Sequence, residues 1–210
     1  MRILQEDDRL ARRRDEILDE ATKLFAAEGY TGARVDDLAT RLGVAKGTIY
    51  RYFPTKENLF LSAADKAMDD LQACIRRAVE ACDDPLDRIR AGVEAHLGFF
   101  DDHRSFVEVF AHERAEFHDR RTSNFLKFRE KTRKRLEGSL AELQGRGIVR
   151  RIDGAAAAEL LSDLLFGVIH MQFIKRGNTP LKKQAPFIID LFFRGILTDS
   201  GRKTWQEKCN

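Results

Sequence analysis

Between Arg41 and Lys56 four cations recur (Arg41, Lys46, Arg51 and Lys56) with no acidic side chain among them. Thr48, Tyr50 and Tyr52 are interleaved with them. That mixture suits a polyanion. A guanidinium matches guanine O6 and N7, while ammonium, hydroxyl and phenol groups hold phosphate oxygens. Other constellations are weaker. The stretch HERAEFH, residues 112–118, resembles the zinc-hydrolase helix HExxH, but that pattern needs a histidine at 116, where this chain has Glu116. No GxSxG, phosphate loop or Cys/His metal spacing is present, so the sequence points to no catalytic residue, no metal and no cofactor. His and Glu residues between 96 and 118 leave open an adventitious metal site, which elemental analysis would detect.

Cations do this chemistry only if something rigid presents them. Val35, Leu38, Ala39 and Leu42 fall at helical spacing, Gly43 follows where a helix end favours positive φ, and Pro54 stops a second helix over 45–53. Two short helices about a glycine-containing turn make a helix-turn-helix, whose second helix enters the DNA major groove. A helix over 9–28, with Ile17, Ala21, Leu24 and Phe25 as its apolar stripe and Gly29 as its stop, closes the small core. Arg12, Arg13 and Arg14 on it read either as a solvated face balanced by nearby acids or as a phosphate-contacting arm.

Within residues 1–60 there are 11 Lys/Arg and 11 Asp/Glu, so a DNA face must come from segregation of charge rather than its total. The net charge of +3 says little alone. Three cysteines, Cys74, Cys82 and Cys209, match no disulfide or zinc spacing and favour a reducing compartment. No leader-like segment and no window approaching a membrane span is expected, which predicts a soluble cytoplasmic protein without membrane partners.

Beyond the reader, Thr55 caps an expected helix over 56–81, roughly 39 Å long, which enters a second domain and can couple the two mechanically. Further helices are expected over 84–101, 105–115, 122–144, 154–176 and 182–197, with a frayed end. The chain therefore reads as all-α, about nine helices. Residues 1–55 form the helix-turn-helix domain, 56–200 a helical effector-binding and dimerisation domain, and 201–210 a tail.

The block FAAEGYTGARVDDLATRLGVAKGTIYRYFPTKENLF, residues 25–60, resembles the DNA-binding domain of the tetracycline-repressor (TetR) family. The matching marks are Phe25, Gly29-Tyr30, Val35, Leu38-Ala39, Gly43-Val44, Lys46-Gly47-Thr48, Tyr50, Tyr52-Phe53 and Lys56-Glu57-Leu59-Phe60. The resemblance implies a homodimeric transcription regulator, most often a repressor, that binds a palindromic operator in double-stranded DNA and is released by a small-molecule effector. It places Lys46, Gly47, Thr48, Tyr50 and Arg51 on the recognition helix, with Thr48 and Arg51 at base edges and Tyr52 and Lys56 on phosphates. The chain departs from the family at Ala33-Arg34, where Ser or Thr usually caps the second helix. Either Arg34 reaches a phosphate or Thr31 caps from an earlier start.

An apolar effector needs an apolar pocket. His96, Phe99, Phe100, Phe106, Phe110, His112, Phe125, Phe128, Phe166 and His170 are the candidates to line it. The basic run Lys127 to Arg135 reads as a solvated face or, more sharply, as a site for an anionic head group. The helices over 154–176 and 182–197 are apolar nearly all round. They form either a large core or half of a symmetric four-helix interface. The interface reading, preferred because two-fold DNA sites need two readers, would use Leu161, Leu165, Val168, Ile169, Phe173, Ile188, Leu191 and Phe192. A rival reading is a DNA-binding dimer without an effector.

Overall fold

The computed structural model describes residues 2–117, 124–175, 177 and 179–209. The polar break 118–123, including His118, and Arg176 and Asn178 lie outside the described residues. The described chain forms ten α-helices: α1 Arg2–Gly32, α2 Val35–Leu42, α3 Lys46–Tyr52, α4 Lys56–Glu80, α5 Pro85–Asp102, α6 Ser105–Glu116, α7 Asn124–Gly145, α8 Gly154–Ile174, α9 Ala185–Ile196 and α10 Asp199–Cys209. A 3-10 turn, Leu181–Gln184, precedes α9. Among the described residues the single β feature is an isolated antiparallel bridge between Val149 and Leu197, inside the IVRRI segment. The fold is all-α, as the periodicity predicts.

Two compact units result, and they do not follow a cut at 55. The N-terminal unit gathers residues 1–69 and 103–123, and the C-terminal unit residues 70–102 and 124–210. Helix α4 contributes to both, and α6 folds with the N-terminal unit. In that unit Ile17, Leu18, Ala21, Leu24 and Phe25 of α1 meet Val35, Leu38 and Ala39 of α2, Ile49 of α3, Leu59, Phe60, Ala63 and Ala64 of α4, and Val109 of α6. Phe60 sits at the middle of an aromatic cluster, its ring centroid 4.9 Å from Phe25, 5.2 Å from Tyr30 and 5.5 Å from Phe117. Gly29 has the positive φ expected of a helix stop, +70°, but the chain resumes helical turns after this kink and runs on to Gly32. A Cβ at Gly29 would lie 3.2 Å from His112 Cε1, so α6 packs close against this bend.

The C-terminal unit is built on side-chain caps and an apolar interior. Asp84 accepts from the Leu86 amide at 3.0 Å, beside Pro85 at the start of α5. Asp153 accepts from the amides of Ala155 and Ala156 to open α8. Asp101 accepts from the amides of Leu181 and Lys182 and fixes the 3-10 turn. Leu86, Ile89, Val93 and Leu97 of α5 join Leu140 and Leu143 of α7, Ala158, Leu161, Leu165 and Ile169 of α8, and Ile188, Ile189 and Phe193 of α9 in the buried set.

Three expectations are corrected. The last residues are not frayed: α10 buries Trp205, whose ring lies 4.6 Å from Phe193 and whose indole N–H donates to Asp190 at 3.3 Å. Gly201 at the start of α10 is pressed so close that a Cβ would come 2.1 Å from the Ile148 carbonyl oxygen. Second, α8 is long and apolar enough, by length and composition, to cross a membrane. Its two mid-helix carboxylates, Glu159 and Asp163, both accept from Arg129 of α7. Third, Leu161, Leu165, Ile169 and Ile188, named for an interface, are buried in the chain's own core. The apolar surface that α8 and α9 leave outward belongs to Leu160 (67% exposed), Leu164, Phe166, Met171, Phe173 and Ile174 (69%) of α8, and Phe187 (71%) and Leu191 of α9. Val168 and Phe192 are half-buried. Composition along a nearly all-apolar helix does not say which face turns inward.

Candidate nucleic-acid interface

Gly43, at φ +63°, ends α2, and the next amide, Val44, donates to the Ala39 carbonyl at 3.0 Å. The chain re-enters a helix two residues later. Ala45 opens α3 by accepting from the Thr48 amide at 2.8 Å, and Phe53 closes it by donating to Ile49 at 2.9 Å. Ile49 and Phe53 are buried and pin this seven-residue helix to the core. Tyr52 packs in part against the same core, and the other side chains turn more toward solvent. Lys46, Gly47, Tyr50 and Arg51 are exposed, and Thr48 and Tyr52 are half-buried. Nothing lies within 4 Å of where a Gly47 Cβ would stand. The glycine is therefore not required by internal packing.

The cations are partly engaged already. Lys46 Nζ donates to Asp36 Oδ2 at 2.9 Å and lies 6.0 Å from the Tyr50 ring centroid. The Arg51 guanidinium is 5.8 Å from the Tyr52 ring, a cation–π contact between neighbours. Lys56, half-buried, donates to the Thr31 carbonyl at 3.2 Å and stands 4.9 Å over the Tyr30 ring, so it ties α4 to the end of α1. Arg41 is drawn away to Glu28 and Glu20, at 3.3 and 3.7 Å. Of the basic patch on α1, Arg13 pairs with Glu16 and Arg14 stacks over Phe53 at 5.3 Å.

The junction at Ala33-Arg34 is resolved in part. Ala33 is buried, and Arg34 occupies the cap position of α2 with extended φ −113° and no side-chain cap. Its carbonyl accepts from Asp37 at 3.1 Å, leaving the guanidinium exposed. Thr31 does not cap α2; its hydroxyl donates to Glu116 Oε1 of α6 at 3.3 Å. Asp36 is the residue here that sequence reasoning passed over. The acid-free run begins at Arg41, so an acid ten positions before Lys46 falls outside it, and only the turn brings the two together.

The ten pocket candidates divide between the two units. Phe106, Phe110 and His112 are on α6 of the N-terminal unit: Phe106 stacks on His103 at 5.1 Å, Phe110 packs against that unit's core, and His112 meets Gly29. In the C-terminal unit His96 lies 5.8 Å from both Phe100 and Phe128, with Phe99 edge-on to Phe100. Phe125 lies 5.9 Å from Phe166, and Phe166, partly exposed, is 3.8 Å from His170. Four cations of α7 are engaged: Arg129 by Glu159 and Asp163, Arg133 by Glu130 and Glu137, Lys134 by Glu130, and Lys131 by Gln72. Among the described residues no group of three or more His, Cys, Asp or Glu is placed to hold a metal ion.

Burial among these rings pushes the His96 imidazole down to about 4. The unfolded chain takes up a proton at this histidine near pH 6.5, which the folded chain refuses until about 4. Its contribution to stability is therefore complete above pH 6.5 and is lost progressively as the pH falls toward about 4. Denaturation curves at neutral and mildly acidic pH should show that loss, and His96→Leu should remove it. Equal losses in both proteins would rule His96 out as the cause.

Comparison with known proteins agrees with this geometry. Residues 17–63 match the family model of bacterial regulatory proteins of the tetR family, and residues 82–196 match the tetracyclin repressor-like C-terminal domain. The transcriptional activator FasR of Mycolicibacterium smegmatis is 35% identical over 89 residues, 42% of this chain and 41% of FasR. The chain thus spans less than half of that relative's length. The transcriptional repressor DhaR of Mycobacterium sp. GP1 is 27% identical over 173 residues, 80% of this chain and 86% of DhaR. Among solved structures, the TetR-family regulator PfmR of Thermus thermophilus superposes with a TM-score of 0.72 at 28% identity, covering 85% of this chain and 97% of PfmR. With both halves of the molecule matched and a helix-turn-helix offering its second helix outward, the chain belongs to the TetR family of bacterial regulatory proteins.

Proposed function

We propose that the protein is a cytoplasmic repressor, not an enzyme, that binds a palindromic operator as a homodimer and is released by a small, largely apolar ligand. The observation that carries the DNA reading is α3 itself. Its inner face is committed to Ile49, and its outer face carries Lys46, Thr48, Tyr50 and Arg51 around a glycine that leaves open space. Arg51 and Thr48 read base edges, while Arg34, Tyr52 and Lys56 hold backbone phosphates. Gly47 lets the helix axis approach the groove.

The dimer reading is supported by the outward stripe Leu160, Leu164, Met171 and Ile174 of α8, at spacings of four, seven and three, with Phe187 and Leu191 of α9. Gly167 lies within that stripe and has nothing within 4 Å of its missing Cβ, so a second helix can approach closely there. This face accounts for the apolar length of α8 without a membrane. Two readers must then meet successive half-sites about 34–36 Å apart.

For the ligand, support comes from His96, half-buried yet strongly desolvated beside Phe100 and Phe128. A ligand there would act through α4, which runs unbroken from one unit into the other. A coupling of about 1–3 kcal/mol changes operator affinity roughly 5- to 150-fold, enough for a switch.

Selecting duplexes from a random pool tests the core of this reading. A palindromic consensus should emerge, Arg51→Ala should change the preferred bases, and Gly47→Ala should fold normally but bind the selected duplex more weakly. Recovery of no consensus, or an unchanged one with Arg51→Ala, would overturn it.

A further inference from the structure

The pair formed by Asp36 and Lys46 joins the first turn of α2 to the first residue of α3, at 2.9 Å. Both side chains are exposed on the surface that carries Arg34. The shared hydrogen bond moves both groups: the Asp36 carboxyl is held below its usual range and the Lys46 ammonium above its own, with the Arg34 charge acting on each. Lys46 is thus one of the cations assigned to DNA, and it meets a carboxylate of its own chain before it meets any phosphate.

Resting on the DNA-binding reading above, we infer that Asp36 is a specificity-setting residue: it holds Lys46 back from the DNA backbone and so suppresses binding to duplexes of unrelated sequence more than binding to the operator. Non-specific binding is essentially the electrostatic attraction of cations for phosphates. One carboxylate beside Lys46 removes one unit of that attraction and also repels the incoming backbone. On the operator, Thr48 and Arg51 add base contacts that do not depend on this charge. Those base contacts fix α3 in one register on the operator, whereas on an unrelated duplex a freed Lys46 takes whichever phosphate is nearest. Its release therefore raises unrelated binding more, and the ratio of operator to unrelated affinity is higher with Asp36 than without it. The neighbouring Asp37, also exposed in the first turn of α2, carries no ion pair among the described residues and gives an internal comparison.

The experiment measures binding of full-length Asp36→Asn, Asp37→Asn, Lys46→Gln and the Asp36→Asn/Lys46→Gln double variant. The probes are the duplex recovered by random-pool selection and a scrambled duplex of equal length, across a salt series. Circular dichroism checks that each variant is folded. Asp36→Asn should bind the scrambled duplex about two- to fivefold more tightly per protomer, with a salt slope steeper by about 0.9 for each cation freed. The selected duplex should gain less, and the gain should vanish in the double variant. Equal gains from Asp37→Asn would show a general charge effect and overturn the inference. So would an unchanged affinity, or a changed base preference without tighter scrambled binding, which would make Asp36 a base contact. A wild-type protein that binds neither duplex would overturn the DNA-binding reading itself, and this inference with it.

Discussion

Phe60→Ala is expected to cost the N-terminal unit roughly 3–5 kcal/mol, the range for emptying a large aromatic site in a core. Phe60 is fully buried, and its ring touches those of Phe25, Tyr30 and Phe117. Phe25 and Tyr30 of α1 and Phe117 after α6 converge on it, so no single neighbour can move in to fill the space. Against a total stability of about 5–15 kcal/mol for a typical domain, such a loss leaves the unit marginal. DNA binding should fail with it, because Tyr30 is the ring over which Lys56 is held. Denaturant melts followed beside duplex binding provide the check. A cost below about 1 kcal/mol would mean that the cluster is loosely packed, and the account of this core would be wrong.

The second large effect concerns α8 and α9. Leu164→Asp combined with Phe187→Asp should leave the fold of one chain intact, since both side chains face outward. The same change should abolish dimerisation, because it places carboxylates in an apolar face. Two half-site contacts made by one particle exceed one contact by a factor of about 10²–10⁴, so affinity for a selected palindromic duplex should fall by roughly that much. Sedimentation would show the mass and a binding titration the affinity. A double variant that still sediments as a dimer would move the interface elsewhere; a monomer with undiminished palindrome affinity would remove the need for pairing.

Much of the reader was legible in advance because its signals are local. The apolar spacing over 35–42, the left-handed Gly43 and the stop at Pro54 each act within one or two helical turns, and the boundaries of α2 and α3 follow from them. Thr55 caps α4 for the same reason, accepting from the Asn58 amide at 3.0 Å. What escaped depends on distant partners. Trp205 is the one large apolar group in a polar segment, and its burial rests on Phe193 and Asp190, earlier in the chain. Helix α6 carries aromatic residues that fit either unit equally well; the close approach of His112 to Gly29 is a tertiary fact. Leu160 and Leu161 are neighbours of one type, yet one faces out and the other in, because α8 is apolar nearly all round. Asp36 and Lys46 were each visible, but their partnership is made by the turn between them.

The docking of α10 has a practical side. A chain trimmed after Leu197, where its apolar helices end, would lose Thr198, whose amide donates to the Ile148 carbonyl, and Trp205, which covers Phe193. It would also lose Lys208, which binds Asp84 and Asp87 at the start of α5. The shortened protein would carry a bare ring and two acids stripped of a shared cation. Expression designs should therefore keep the chain through Cys209 and admit no side chain at Gly201, where backbone already touches backbone.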